Sequence, residues 1–250
     1  MENSQIGKKF LVILIMIALV ATLSLLIILN PDKQLDSQTG CPAVSGSQAK
    51  SVSILLDASD PYASSQVKHV SNFIRAYVDE LEAFDRIKIY QVDESFSLNL
   101  HPIFDFCKPG SDLNKTPLDA VLMEKKFDTN LESIFQSIQG QRVTSPIIQA
   151  ISSVASDFDQ SIPNRSIVLV SDLIEYSSLA NMYETNWAKS IEDNQERLQK
   201  AKPILDGVDL TILLLMRPNL KIQDKTIRDW WVDYLELSGA RILTVKAITG

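Results

Sequence analysis

The chain has 250 residues, 45 % of them apolar, and a formal net charge of −7 with only two cysteines and two histidines. An acidic surface repels phosphate backbones, and no basic stripe with interleaved aromatics occurs, so nucleic acid is excluded as a partner class. About 200 residues follow the first hydrophobic run, enough for one domain with a full core and tight for two.

Phe10 to Leu29 reads FLVILIMIALVATLSLLIIL, twenty residues without a charge. At about 1.5 Å per residue such a helix crosses a hydrocarbon core of about 30 Å. The run exceeds the apolar stretch of a cleaved signal peptide, about 7–15 residues. It also exits into Asn30-Pro31-Asp32-Lys33, which offers no small-x-small site. The pattern predicts a single uncleaved transmembrane helix over residues 10–30, after a short N-terminus of residues 1–9. Lys8 and Lys9 abut its start, whereas the exit side carries Asp32, Lys33 and Asp36. The positive-inside rule then leaves the N-terminus in the cytoplasm and sends the C-terminal domain outward, into the periplasm if the cell is bacterial.

Residues 31–50 are polar and rich in Ser, Gly and Gln, which suits a stalk. Cys41 lies within it and Cys107 in the domain. In an oxidising compartment the two are a candidate disulfide, with two free thiols as the alternative. Neither sits in a Cys-x-x-Cys or beside a His, which argues against metal binding through them.

From residue 51 to 250 strands and helices alternate. Ser51 to Asp57 is a short apolar run ending in Asp, as in a buried parallel strand. Asp60-Pro61 has the chemistry of a helix start, and apolar residues from Val67 to Leu81 recur at helical spacing. Arg86 to Val92 alternates as a second strand. Residues 94–126, with Pro102, Pro109, Gly110 and Pro117, read as a strand or hairpin followed by a long excursion. Leu131 to Ile138 and Pro146 to Phe158 look helical. Ser166 to Asp172 is another buried strand ending in Asp. A charged helix is expected at 187–202, a strand at 208–216, a helix at 222–237 and a last strand at 240–245. This alternation predicts an α/β Rossmann-like three-layer sandwich with a mostly parallel central sheet. Sites in such sheets lie beyond the C-terminal ends of the strands.

Two of the strands end in aspartate, Asp57 and Asp172, and Thr144-Ser145 opens the helix between them. If the strands are neighbours, Asp57, Ser59, Ser145 and Asp172 converge on one sheet edge and present only oxygen atoms. Hard cations such as Mg²⁺ prefer that shell. Each residue also has a plainer reading: Ser59 and Asp60 as caps of the helix after Pro61, Ser145 as the cap after Pro146, and Asp172 as an acceptor for loop amides.

The constellation resembles the von Willebrand factor A family, the integrin I-domain fold. Its metal-ion-dependent adhesion site has Asp-x-Ser-x-Ser after the first strand, a Thr before a helix and an Asp after a later strand. Asp57 and Ser59 match the first two positions. Ser145 falls at the Thr position through Ser145-x-Ile147-x-x-Ala150-Ile151, and Asp172 matches the later Asp. The resemblance spans roughly residues 51–246. It implies a protein-interaction module whose partner's carboxylate completes the coordination of Mg²⁺, with Ca²⁺ or Mn²⁺ as substitutes. The departure is Pro61, which stands where the third hydroxyl ligand should be and has no side-chain oxygen. Asp60 and Thr144 are the weaker oxygen donors nearby.

The alternative is a Mg²⁺-dependent phosphatase or phosphotransferase of the haloacid-dehalogenase type with Asp57 as nucleophile. That family wants a second Asp two residues later, where this chain has Ser59. No Gly-x-Ser-x-Gly, His-Glu-x-x-His, Walker loop or Gly-x-Gly-x-x-Gly occurs, so an interaction module is the expectation and the phosphatase its enzymatic alternative. His69 reads as a surface or boundary residue. Of Trp230 and Trp231, at helical spacing with Ile227 and Tyr234, at least one belongs in the core and the other is available to a partner. Taken together, the expected protein is a membrane-anchored module engaging another protein near or in the membrane.

Overall fold

A computed structural model describes residues 13–22, 24, 35–42, 48–92, 101–110, 117–137 and 144–250. Twelve elements follow residue 50: β1 (Lys50–Asp57), α1 (Ser64–Asp79), β2 (Arg86–Val92), β3 (Phe104–Cys107), α2 (Pro117–Ser137), α3 (Ile147–Asp157), β4 (Asn164–Ser171), α4 (Trp187–Asp193), α5 (Gln195–Ala201), β5 (Val208–Leu215), α6 (Lys225–Leu237) and β6 (Arg241–Ile248). The strands form one sheet in the order β3-β2-β1-β4-β5-β6. All neighbours are parallel except β2 and β3. The protein is thus α/β with a mostly parallel central sheet.

Apolar runs without alternation make the central strands. Leu55, Tyr90, Ile167, Leu169, Leu210 and Ile212 pack to one face against α3, α5 and α6. Val52, Ile54, Leu56, Ile87, Ile89, Val168 and Val170 pack to the other against α1 and α2. A strand buried on both faces has no polar side to alternate with. Helical spacing supplies the covering layers: Val70, Ile74 and Val78 of α1 are buried four residues apart, as are Ile227, Trp231 and Leu235 of α6.

Three local expectations change. The first helix begins at Ser64, not at Pro61, because the Gln66 carboxamide oxygen accepts the Ala63 N–H (3.1 Å) and closes the first turn there. The charged helix is broken at Asn194 into α4 and α5. The excursion is shorter than its sequence suggests, since α2 starts at Pro117. Val121 and Leu122 of α2 are exposed, which blurs the helical period at its start. Phe127, Leu131, Ile134 and Phe135 are its buried stripe.

Residues 35–42, within the expected stalk, fold onto the β3 edge. The Cys107 N–H donates to Thr39 O (2.9 Å), Lys126 Nζ donates to Gln38 O (2.8 Å), and Cys41 is disulfide-bonded to Cys107 with Cα atoms 4.9 Å apart. Gly40 turns at φ +69°, where a Cβ would meet the Met123 methyl at 2.8 Å. Of the expected transmembrane span, residues 13–22 and 24 are helical, and the others lie outside the described residues. Among the described residues, no helix is long and apolar enough to cross a membrane.

Candidate functional site

The order in which strands are added to the sheet reverses between the parallel neighbours β1 and β4. From β1 the sheet grows through β2 to β3, and from β4 through β5 to β6. Loops leaving such a pair part to opposite sides and leave a crevice above the C-terminal strand ends. Asp57 is the last residue of β1, and Ser171 the last of β4 with Asp172 next. Register places Leu56 beside Val170, so the two aspartates end adjacent strands.

The Asp57 carboxylate is 2 % exposed and fully engaged. Ser145 Oγ (3.0 Å) and Ser171 Oγ (2.6 Å) donate to its Oδ2, while the Ser59 N–H donates to Oδ1 (3.1 Å). Ser145 therefore reaches across to β1 instead of capping α3, whose N-cap Pro146 has no side-chain cap bond. Reciprocal backbone bonds between Ser145 and Tyr176, at 2.9 and 3.0 Å, fix its loop. Ser171 is a partner that the sequence did not single out. A serine one position before a strand-terminal Asp faces the neighbouring strand's end only once register is known.

Asp172 faces the same crevice with different partners. The Ile174 N–H donates to its Oδ1 (3.0 Å) and Arg217 Nε to its Oδ2 (3.1 Å). Burial, with the Asp57 charge next, pushes its carboxyl above the ordinary range, against the pull of the Ile174 N–H and Arg217. Leu173 follows in the left-handed region (φ 62°). It is held there by its N–H donating to Ser171 Oγ (2.9 Å) and by Trp231 Nε1 donating to its carbonyl (2.7 Å).

Arg217, two residues beyond β5, was also not singled out. Besides Asp172 it donates from Nη1 to Pro61 O (2.7 Å) and from Nη2 to Asp60 O (3.4 Å). Gln223 braces it, accepting the Arg217 N–H at 2.5 Å and donating to Asp172 O at 3.1 Å. Nearby, burial pushes the Glu175 carboxyl up to about 8; its Oε2 accepts the Ile148 N–H at 3.0 Å.

Above these groups lies a cleft of about 340 Å³ lined by Ser59, Asp60, Thr144, Ser145, Tyr176, Asn181 and Tyr183. Asp60 Oδ2 accepts the Tyr183 hydroxyl at 3.2 Å. Tyr176 and Tyr183 meet edge to face and are partly exposed at the rim. All six oxygen-bearing candidates, Asp57, Ser59, Asp60, Thr144, Ser145 and Asp172, thus belong to one locality. The expected partner face around Trp230 does not: Trp231 is fully buried, and Trp230 packs between Trp187 and Tyr234.

An all-oxygen set suits Mg²⁺ in kind. In disposition it suits the ion poorly, because every carboxylate oxygen of Asp57 and Asp172 already accepts a protein hydrogen bond and a guanidinium lies against Asp172. Among the described residues no group of three His, Cys, Asp or Glu is arranged to hold a metal ion. No protein-family model matches the chain, and no curated protein is similar to it in sequence.

Proposed function

We propose that the protein is a membrane-anchored, von Willebrand factor A-like interaction module whose cleft above Asp57 engages another protein held at the same membrane. The observation that carries this reading is the convergence of Asp57, Ser145 and Ser171 beneath a solvent-facing cleft at the sheet's switch point, with Asp172 at the adjoining strand end. Partly exposed tyrosines at the rim are the residue type that anchors protein contacts. The anchor rests on the twenty-residue apolar run. Its described residues 13–20 are helical, and their large apolar side chains are each at least half exposed.

Mg²⁺, with Ca²⁺ or Mn²⁺ in its place, is the competing account of how the rim grips its partner. The phosphatase reading is weaker. Its nucleophile would be Asp57, which is 2 % exposed beneath two serine hydroxyls, and attack on phosphorus needs that oxygen within reach of substrate.

The test is photocrosslinking from the full chain in its native membrane, with the crosslinker at Tyr183 and a control at Lys200 on α5. A discrete protein adduct from Tyr183, absent from Lys200 and weakened by Ser145→Ala, is expected. Equal adducts from both positions would remove the cleft from the reading. Turnover of a generic phosphomonoester that Asp57→Asn abolishes would favour the enzyme instead.

A further inference from the structure

Pro61, the departure from the adhesion-site pattern, meets Arg217 in space. Proline offers no side-chain oxygen, yet its carbonyl accepts Arg217 Nη1 at 2.7 Å. The same guanidinium takes Asp60 O at 3.4 Å and Asp172 Oδ2 at 3.1 Å. One cation thus ties the β1–α1 loop, the end of β4 and the end of β5 through three oxygen atoms. Its side chain is 13 % exposed and that of Asp172 2 %.

We propose that Arg217 is the resident cation of this site, neutralising Asp172 and tying its loops as a divalent ion would, so that the cleft works without metal. For the cleft's function this rests on the reading above; the role of Arg217 stands on the geometry alone.

Two physical points support it. A buried carboxylate stripped of its partner is left uncompensated, which is strongly destabilising, and it will recruit another cation if one is offered. A divalent ion entering beside Arg217 would meet its charge and would compete with the Ser145 and Ser171 hydroxyls for Asp57 Oδ2. Asp57 therefore needs no ion, and Asp172 already has one.

The test uses the full-length chain in detergent and MnCl₂ as the probe, with free Mn²⁺ read by electron paramagnetic resonance. Wild type is compared with Arg217→Gln and with Arg217→Met, which keeps the apolar stem. Wild type is expected to leave Mn²⁺ free up to millimolar concentration. The variants should bind at least about tenfold more tightly, and Asp172→Asn should abolish the gain. A variant that is unfolded alone and folds on adding Mn²⁺ gives the same answer by circular dichroism. Submillimolar Mn²⁺ binding by wild type, lost in Asp57→Ala, would overturn the proposal. So would variants that bind no more tightly than wild type, or that fail to fold with and without Mn²⁺. A missing crosslink from Tyr183 would count against the partner reading and leave these outcomes untouched.

Discussion

Asp57 illustrates how much a single buried charge organises. Its carboxylate has been withdrawn from water, and three donors replace the lost hydration: two hydroxyls and one amide. Hydrogen bonds to a charged group are worth about 1.5–3 kcal/mol each, so Ser171→Ala should destabilise the domain by about 2 kcal/mol, read as a shift in the urea midpoint. Glu175 gives the pH dependence. Its folded-state pKa of about 8 stands above the ordinary 4.5, so the native state keeps a proton that the unfolded chain releases. This contribution is full below about pH 4.5 and is lost as pH rises toward 8. Stability should therefore fall between about pH 5 and about pH 8, at up to roughly 1.4 kcal/mol per pH unit for one group. In Glu175→Gln, urea unfolding at both pH values should show a fall smaller by at least about 1 kcal/mol. Asp57, Ser59, Ser145 and Asp172 were legible as one set because strand ends and a helix start are local patterns. Ser171, Arg217, Tyr176 and Tyr183 were not, because their role depends on which strands are neighbours and on how far the following loops fold back.

At the scale of elements, α6 supports the site from below. Trp231 is fully buried against β4 and β5 residues, and its indole N–H holds the Leu173 carbonyl, fixing the strained turn that follows Asp172. Trp231→Phe keeps most of the apolar volume but orphans that carbonyl. The expected loss is about 2–3 kcal/mol, measured by thermal or urea denaturation, with the Tyr183 crosslink weakened as the turn relaxes. Helical spacing made α1, α3 and α6 readable in the sequence. Where it failed, at the start of α2 and in the break between α4 and α5, exposed Val121 and Leu122 or a conformational choice at Asn194 overrode a regular pattern.

Across the whole molecule, the disulfide and the cleft sit at opposite ends of the sheet. Cys107 pairs with Arg86 at the start of β2, whereas Asp57 pairs with Val92 at its end. Six residues at about 3.3 Å each separate them by roughly 20 Å. The Cys41–Cys107 bond closes a separation of 66 residues, which in the chain-entropy model stabilises by about 4 kcal/mol. Reduction, or Cys107→Ser, should lower the melting temperature and open residues 35–42 to protease. If residues 10–30 span the bilayer, the bond leaves only residues 31–34 between that span and the turn at 35–42, a reach of at most about 18 Å. The cleft then lies at the end of the sheet opposite the tether. Full-length chain should resist alkaline carbonate extraction and yield to detergent, while a chain lacking residues 1–30 should be released without either.

By itself the sequence determined the α/β alternation, the apolar N-terminal run and the two buried strands that each end at an aspartate, Asp57 and Asp172. These follow from short-range periodicity and from where polar residues interrupt it. Only the tertiary structure decided what those aspartates hold. The answer comes from Arg217, 160 residues after Asp57 and 45 after Asp172, and from Ser171 and Tyr183 brought in by strand register and loop packing. A carboxylate's partner is set by distance in space, which spacing along the chain does not encode.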